Sequence, residues 1–137
     1  MKTSGAVIIK EDSTKVECAF LVGIQTQQCP EEACRELLNE LSELVGTLGL
    51  TVAEACVVKL RDQNPRFLIG EGKAREIVDR ALQSGADVIV FDDSLSPAQQ
   101  RNWEQLGEIA VIDRQEVILD IFAPHAHTRE ASLQVAL

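Results

Sequence analysis

The sequence predicts an α/β domain with a four-stranded, mostly parallel sheet and helices on both faces. Short apolar runs rich in strand-forming residues alternate with helical segments four times along the 137 residues. This alternation calls for parallel strands joined by right-handed helical crossovers. Composition agrees, because 45% apolar and 26% charged residues are ordinary for a globular chain. The length suits one domain with one core.

The first strand is predicted at Val16–Gly23, because an apolar run bounded by polar residues is typical of a strand covered on both faces. The first helix is predicted to begin with Pro30 at its first position and to end at Gly49. Two glutamates follow Pro30, where the helix dipole favours negative charge. Helical spacing predicts one buried apolar stripe, formed by Ala33, Leu37, Leu38, Leu41, Leu44, Val45 and Leu48.

The second strand is predicted at Leu50–Leu60, a less uniform run than the first. The polar segment RDQNP after it is predicted to be a turn. A helix is expected over Gly70–Ser84, with Gly85 as its cap. Four apolar residues of this helix are expected to face inward, namely Ile77, Val78, Ala81 and Leu82.

The clearest buried strand is ADVIVFDD, residues 86–93. The next helix is predicted to begin with a capping box, in which Ser96 is the N-cap, Pro97 occupies the first turn and Gln99 closes the box. IAVID is the fourth predicted strand, and Asp113 is predicted to cap the last helix, RQEVILDIFA.

Acidic residues follow the third and fourth predicted strands, where parallel sheets bind their ligands. Asp92, Asp93 and Asp113 are therefore candidates for a magnesium cluster. Roles as helix caps and loop residues explain them better, so no metal site is predicted. His125 and His127 have no serine or cysteine nucleophile beside them in the sequence, and no catalytic residue is predicted.

The stretch Gly70-Glu71-Gly72-Lys73 resembles a phosphate-binding loop at first sight. A P-loop needs four residues between its glycines and a serine or threonine after the lysine, whereas here one residue separates the glycines and Ala74 follows. The Rossmann fingerprint also fails, because no third glycine stands at the required place. Two interpretations remain: a simple tight turn, or a helix start that holds an anion.

The formal charge of −9 opposes binding to nucleic acid at long range, so a contact of that kind requires a local basic patch. One patch is predicted around the second turn, although a solvated face is the commoner fate of such residues. The candidate residues for contact with an anion or RNA are Lys59, Arg61, Arg66, Gly70, Gly72, Lys73 and Arg75.

The cysteines form no C-x-x-C pair, and Cys18 and Cys56 lie within strands predicted to be buried. Free, reduced and packed thiols are therefore expected, with no zinc site. No apolar stretch is long enough for a membrane span, and Met1–Lys10 lacks the apolar segment of a secretory signal. These features predict a cytoplasmic protein.

Four segments, IGEGKAREI, VIVFDDSLSPAQQRNWEQL, VIDRQEVILDIFA and LQV, strongly resemble the N-terminal domain of HflX, a family of ribosome-associated GTPases. The resemblance runs from Val16 to Leu137. DDSLSPAQQRNWE, followed by VIDR and ILDIFA, is highly specific.

The resemblance implies a domain that precedes a G domain, joined to it by a helical subdomain, in a protein that binds the large ribosomal subunit and separates stalled ribosomes. It places GTP and magnesium in the G domain. No G-x-x-x-x-G-K-[ST] occurs in this chain, so no cofactor and no GTP hydrolysis are expected here. The expected division is an α/β domain over residues 1–126 and the start of the helical subdomain over 127–137.

The chain departs from the family pattern at two places. After ILDIFA the family usually has Q-R-A-R-T and then E-G-K-L-Q-V-E-L, and after DR-x it has glycine and leucine, where this chain has Glu116 and Val117. The substitutions after ILDIFA remove positive charges that could contact ribosomal RNA; they include Pro124, His125, His127, Ala131, Ser132 and Ala136.

Two alternatives to the ribosome-facing domain stay open at this point. One is an adenine-nucleotide-binding domain that uses the strand-end crevice and the Gly70–Lys73 turn. The other is a homodimeric interaction module, because the apolar pattern SLQVAL at the end of the chain would pack on a second copy.

Overall fold

The computed structural model describes residues 17–60 and 64–122. Within these residues four strands alternate with four helices. The elements in chain order are β1 (Cys18–Gln25), α1 (Glu31–Thr47), β2 (Thr51–Lys59), α2 (Glu71–Gln83), β3 (Val88–Phe91), α3 (Pro97–Gly107), β4 (Ala110–Asp113) and α4 (Arg114–Phe122).

The four strands form one sheet in the order β2-β1-β3-β4, and all three neighbouring pairs are parallel. The predicted fold class is therefore confirmed. The chain proceeds outward from β1 to β2 and then returns across β1 to β3. This reversal makes the carboxyl ends of β1 and β3 the switch point of the sheet, where such folds leave a crevice.

Helices cover both faces of the sheet, as predicted. On one face α2 and α3 pack over the side chains of Phe20, Ile89 and Phe91, together with the fully buried Trp103. On the other face α1 and α4 pack over a smaller apolar layer. Its strand residues are Ala19, Leu21, Val88, Val90 and Ile112.

The central strand is buried as the sequence predicted, whereas the second strand is not. Six consecutive residues inside β1 are buried, but most of β2 is exposed because it forms an edge of the sheet. The cysteines in these strands follow this pattern. Cys18 at the start of β1 and Cys56 in β2 are only half-buried. The expectation of a buried strand is right for β1 and wrong for β2, although Cys56 still packs against the core.

Two predicted core residues are also exposed. Leu37 in α1 is 36% exposed and Leu82 in α2 is 51% exposed, because the layer that each helix covers is narrower than its apolar stripe. In α1 the buried positions belong to Cys34, Leu38, Leu41 and Val45. A cysteine therefore occupies a core position that the apolar pattern did not include.

The helix ends are close to those predicted. Gly49 and Gly85 follow α1 and α2 with φ of 92° and 84°, a left-handed conformation that glycine adopts without strain. Pro30 is the N-cap of α1 and not its first helical residue, because its ψ of 167° is extended. The predicted capping box of α3 is present, with Ser96, Pro97 and Gln99 in the expected positions.

Several predictions fall outside the described residues. These are the contact role of Arg61, the first part of the RDQNP turn, both histidines and the start of a helical subdomain. Within the described part of the chain, no helix combines the length and apolar character that crossing a membrane requires.

Candidate functional site

The segment between β2 and α2 contains a tight turn, Asn64–Leu68, which we name the 64–68 turn. The Asn64 side-chain oxygen accepts hydrogen bonds from the backbone N–H groups of Arg66 at 2.8 Å and Phe67 at 3.2 Å. Asn64 and Leu68 also exchange two backbone hydrogen bonds, at 3.1 and 2.7 Å. An asparagine that bonds to its own turn in this way fixes the backbone locally.

Leu68 has φ of 73°, which is unfavourable for a residue with a branched side chain. Its side chain is nevertheless 4% exposed and belongs to the core. Surrounding contacts must therefore hold the backbone in this conformation, and strain of this kind clusters at functional sites.

Helix α3 supplies those contacts. Asn102 Nδ2 donates to the carbonyl of Arg66 at 3.0 Å, and Trp103 Nε1 donates to the carbonyl of Phe67 at 2.8 Å. Gln99 Nε2 lies 3.5 Å from the carbonyl of Asn64 and 3.4 Å from that of Pro65. Residues 99, 102 and 103 share one helical face, so one side of α3 holds four consecutive carbonyls of the turn.

Aromatic packing strengthens the same junction. The Trp103 ring meets Phe67 at 6.0 Å and Phe91 at 4.9 Å between centroids, both edge to face. Such pairs stabilise a core beyond the area they bury. The 64–68 turn is therefore held both by aromatic packing and by hydrogen bonds from side-chain amide groups.

The outer surface of this turn carries part of the predicted basic patch. Arg66 is exposed, and its guanidinium carbon lies 5.4 Å from the centre of the Phe67 ring. Two residues after the end of the turn, Gly70 is the N-cap of α2 and offers no side chain to the free N–H groups of the helix. The fixed turn thus carries an exposed cation four residues before a helix start that has no side-chain cap.

Both glycines at that helix start are exposed and have open space around them. Apart from the adjacent residues and the backbone of the helix itself, no atom of the described residues lies within 4 Å of the position that a Cβ would take at Gly70 or Gly72. Gly70 has φ of −63°, which any residue adopts. Neither packing nor backbone conformation requires glycine here. The structure therefore does not support the expectation that these glycines serve to permit a tight turn.

The remaining predicted cations do not form one continuous patch. Lys73 pairs with Glu76 at 3.4 Å and Arg75 pairs with Glu71 at 2.9 Å, so acidic neighbours on α2 offset both charges. Lys59 ends β2, adjacent to Val58, which faces the α2 layer. Alternation along the strand therefore directs Lys59 to the opposite face of the sheet.

The switch point of the sheet is acidic. Asp92 follows β3, and its side chain is 9% exposed and pairs with Arg114 at 2.9 Å. Arg114 also pairs with Glu40 of α1. The neighbouring Asp93 has a raised pKa because of burial and the charge of Asp92. Arg114, the cation described at this edge of the sheet, is thus paired with two carboxylates. This arrangement disfavours the binding of a polyphosphate ligand here.

Asp113 acts as a structural cap, as predicted. Its Oδ1 accepts from the backbone N–H of Glu116 at 3.0 Å, at the start of α4, and its Oδ2 accepts from Leu95 at 2.9 Å. In residues 17–60 and 64–122, no group of three or more histidine, cysteine or acidic side chains is arranged to hold a metal ion.

The comparison with known proteins begins with a family described as "GTP-binding GTPase N-terminal", whose model matches residues 35–123. This match covers more than half of the chain. The chain belongs to this family.

Its curated relatives carry the name GTPase HflX, so the chain is an HflX-type N-terminal domain, as the resemblance implied. GTPase HflX of Akkermansia muciniphila is 48% identical over 129 residues, which are 94% of this chain and 30% of that protein. GTPase HflX of Escherichia coli is 45% identical over 102 residues, 74% of this chain and 24% of that protein. The chain thus spans less than a third of the length of these relatives.

Solved structures support the fold of this HflX-type domain. A GTP-binding protein from the archaeon Sulfolobus solfataricus, crystallised with GDP, matches with a TM-score of 0.56 at 22% identity, over 78% of this chain and 30% of that chain. A second structure, a complex of SsGBP and GDP, matches with a TM-score of 0.54 at 24% identity, over 87% and 32% of the two chains.

Proposed function

We propose that this chain is a non-catalytic module of an HflX-like GTP-binding protein, which contacts the large ribosomal subunit and regulates the G domain in ribosome splitting. Membership of this family supports the part of the proposal that identifies the parent protein as HflX-like. The fixed 64–68 turn, which carries the exposed Arg66 four residues before the uncapped start of α2, supports the contact. This preorganised turn is the observation on which the proposal rests.

A fixed turn suits recognition of a phosphate backbone for a physical reason. A partner that binds it loses little conformational entropy, because α3 already holds the backbone. The uncapped N–H groups of α2 attract negative charge, and Arg66 adds a cation that is bound to no carboxylate in any described ion pair. Exposed glycines at positions 70 and 72 allow close approach to the backbone.

Catalysis is proposed to lie outside these 137 residues. The sequence contains no P-loop, and the acidic switch point disfavours triphosphate. GTP and magnesium are accordingly proposed to bind the G domain of the parent protein, with this chain as its regulatory partner. A cytoplasmic location without a membrane partner is part of the proposal, since ribosomes are the target.

Sedimentation with large ribosomal subunits tests the contact. We expect the 137-residue chain to co-sediment at low salt, and the substitution Arg66→Glu to weaken binding by about tenfold. The slope of log affinity against log salt should also fall by about one unit, because one phosphate contact is lost. In a full-length parent, deletion of this domain should reduce ribosome binding.

Arg35→Glu is the matched control. Arg35 is an exposed arginine on α1, 60% accessible, and pairs with Glu31, away from the 64–68 turn. Its substitution changes the net charge by the same amount. Equal loss of binding in both variants would reduce the effect to overall charge and refute a contact at Arg66.

Calorimetry with ATP and magnesium separates the nucleotide-binding alternative. We expect no heat at millimolar nucleotide, because the strand-end crevice carries Asp92, Asp93 and Glu40. Saturable heat would favour that alternative over ours. The dimer alternative depends on the tail beyond the described residues, and light scattering with and without residues 128–137 tests it.

A further inference from the structure

Two of the four cysteines lie together where β1 leads into α1. Cys29 immediately precedes Pro30, the N-cap of α1, and Cys34 is the fourth residue inside the helix. Side chains at these two positions commonly pack against each other across the first helical turn. Here both positions carry a thiol.

The loop before α1 holds Cys29 in place. Thr26 and Cys29 exchange two backbone hydrogen bonds, each 3.1 Å long, which close a short turn after β1. The N–H of Cys34 donates to the carbonyl of Pro30 at 2.9 Å. Backbone hydrogen bonds thus define both ends of the segment that joins the two thiols.

The two thiols differ in exposure. Cys34 is 1% exposed, and its Sγ lies 2.8 Å from the position that a Cβ on Gly23 would take, so it is pressed against the end of β1. Burial raises the pKa of Cys34 to about 11, with further contributions from Cys29, Asp92 and Asp93. Cys29 is half-buried and therefore accessible to a small reagent.

The other two cysteines lie apart from this pair. Cys18 begins β1 at the opposite end of the strand, opposite Thr51 in β2. Cys56 lies in β2, in register with Val22. The described residues also provide no third ligand that would make the pair a metal site. The pair thus consists of an accessible thiol, that of Cys29, next to a buried thiol, that of Cys34.

We propose that Cys29 and Cys34 form a reversible redox modification site, which hydrogen peroxide converts to a disulfide. The sulfur of Cys29, as its thiolate, attacks one peroxide oxygen, the O–O bond breaks, and a sulfenic acid and water result. The sulfur of Cys34 then attacks the sulfenic sulfur, and the departing hydroxide takes the thiol proton as water. In sum, two thiols and one peroxide give one disulfide and two waters.

The order of attack follows from the environment. A buried thiol beside carboxylates is a poor first nucleophile, because the thiolate is the reactive form. An accessible thiol with a second thiol in reach is the arrangement of redox sensors in reducing compartments. The disulfide would tie the first turn of α1 to the loop that ends β1, at the switch point of the sheet.

Thiol counting on the reduced 137-residue chain tests the proposal. After treatment with hydrogen peroxide, free thiols are blocked with N-ethylmaleimide and the intact mass is measured. We expect two adducts instead of four on the four cysteines, and four again after dithiothreitol. Fragmentation of the tryptic peptide 16–35 should yield no backbone fragments between residues 29 and 34.

Two variants give the controls. Cys29→Ser places a small polar group in a half-buried loop position and should keep its three thiols under the same treatment. The double substitution Cys18→Ser and Cys56→Ser should still lose both remaining thiols. The proposal is overturned by four adducts after peroxide, by a disulfide that includes Cys18 or Cys56, or by thiol loss that dithiothreitol does not reverse.

Discussion

Gly23 shows how a single residue sets the distance between a helix and the sheet. A Cβ at this position would meet Cys34 Sγ at 2.8 Å and Leu38 Cγ at 2.9 Å. Real side chains do not approach so closely, and both neighbours are buried. Gly23 therefore lets α1 pack directly on β1, which places Cys34 beside the switch point.

Gly23→Ala should destabilise the domain by about 1–3 kcal/mol, because the added methyl group overpacks a buried contact. Urea denaturation followed by circular dichroism measures the change. Gly46→Ala is the control, since Gly46 lies inside α1 with open space around it among the described residues. That substitution should stabilise by about 0.5–1 kcal/mol through helix propensity. An unchanged midpoint for Gly23→Ala would contradict the close approach.

Among the elements, α3 connects more of the molecule than its eleven residues suggest. One face holds the 64–68 turn through Asn102 and Trp103. Another meets β4, where Gln100 donates to the carbonyl of Val111 and Glu104 accepts from the Val111 backbone. These side chains occupy the free edge of β4, a position that would otherwise invite strand pairing.

The capping box that starts α3 should be energetically important. Ser96→Ala removes the hydroxyl that accepts from the Gln99 N–H at 3.1 Å, and we expect a loss of about 0.5–2 kcal/mol in stability. Hydrogen exchange at Phe67 and Leu68 should also become faster, because α3 holds the turn that contains them. Ser94→Ala, in the loop before the cap, is the control; an equal loss there would show that the effect is not due to capping.

The whole molecule carries a net charge of −9, and part of that charge destabilises the folded state. Burial raises the pKa of Glu116, a hydrogen bond from Gln100 opposes the shift, and Asp120, Asp113 and Glu104 add to it. A raised pKa in the folded state means that the fold prefers the protonated carboxyl. The stability from this preference is complete below the unfolded pKa and is lost as pH rises through the folded pKa.

Glu116→Gln should therefore raise the melting temperature at about pH 7 and have little effect below about pH 4, where the glutamate is protonated in both states. The amide oxygen can still accept the hydrogen bond from Gln100, which is 3.2 Å long in the parent chain. Thermal melts from acid to neutral pH measure the difference. Glu36→Gln, an exposed site on α1, controls for the lost charge, and a Glu116→Gln effect independent of pH would contradict the assignment.

Local pattern predicted much of this molecule. Alternating runs predicted four strands and four helices, and the Ser96 capping box needs only neighbours three residues apart. The prediction failed for Leu37 and Leu82, because periodicity shows which residues share a face but not how wide a face the neighbours cover. The roles of Asn102 and Trp103 were missed because their acceptors lie 36 residues earlier in the chain.

The sequence alone thus determined the fold class, the family and the absence of a P-loop, since these depend on local spacing and on motifs readable along the chain. Tertiary structure decided the strand order, the fixed 64–68 turn, the pairing of Arg114 with two carboxylates and the burial of Cys34 against Gly23, which leaves Cys29 as the accessible thiol of the pair. These features depend on contacts between residues distant in sequence or on the burial that such contacts create, and neither is encoded in the spacing of neighbours.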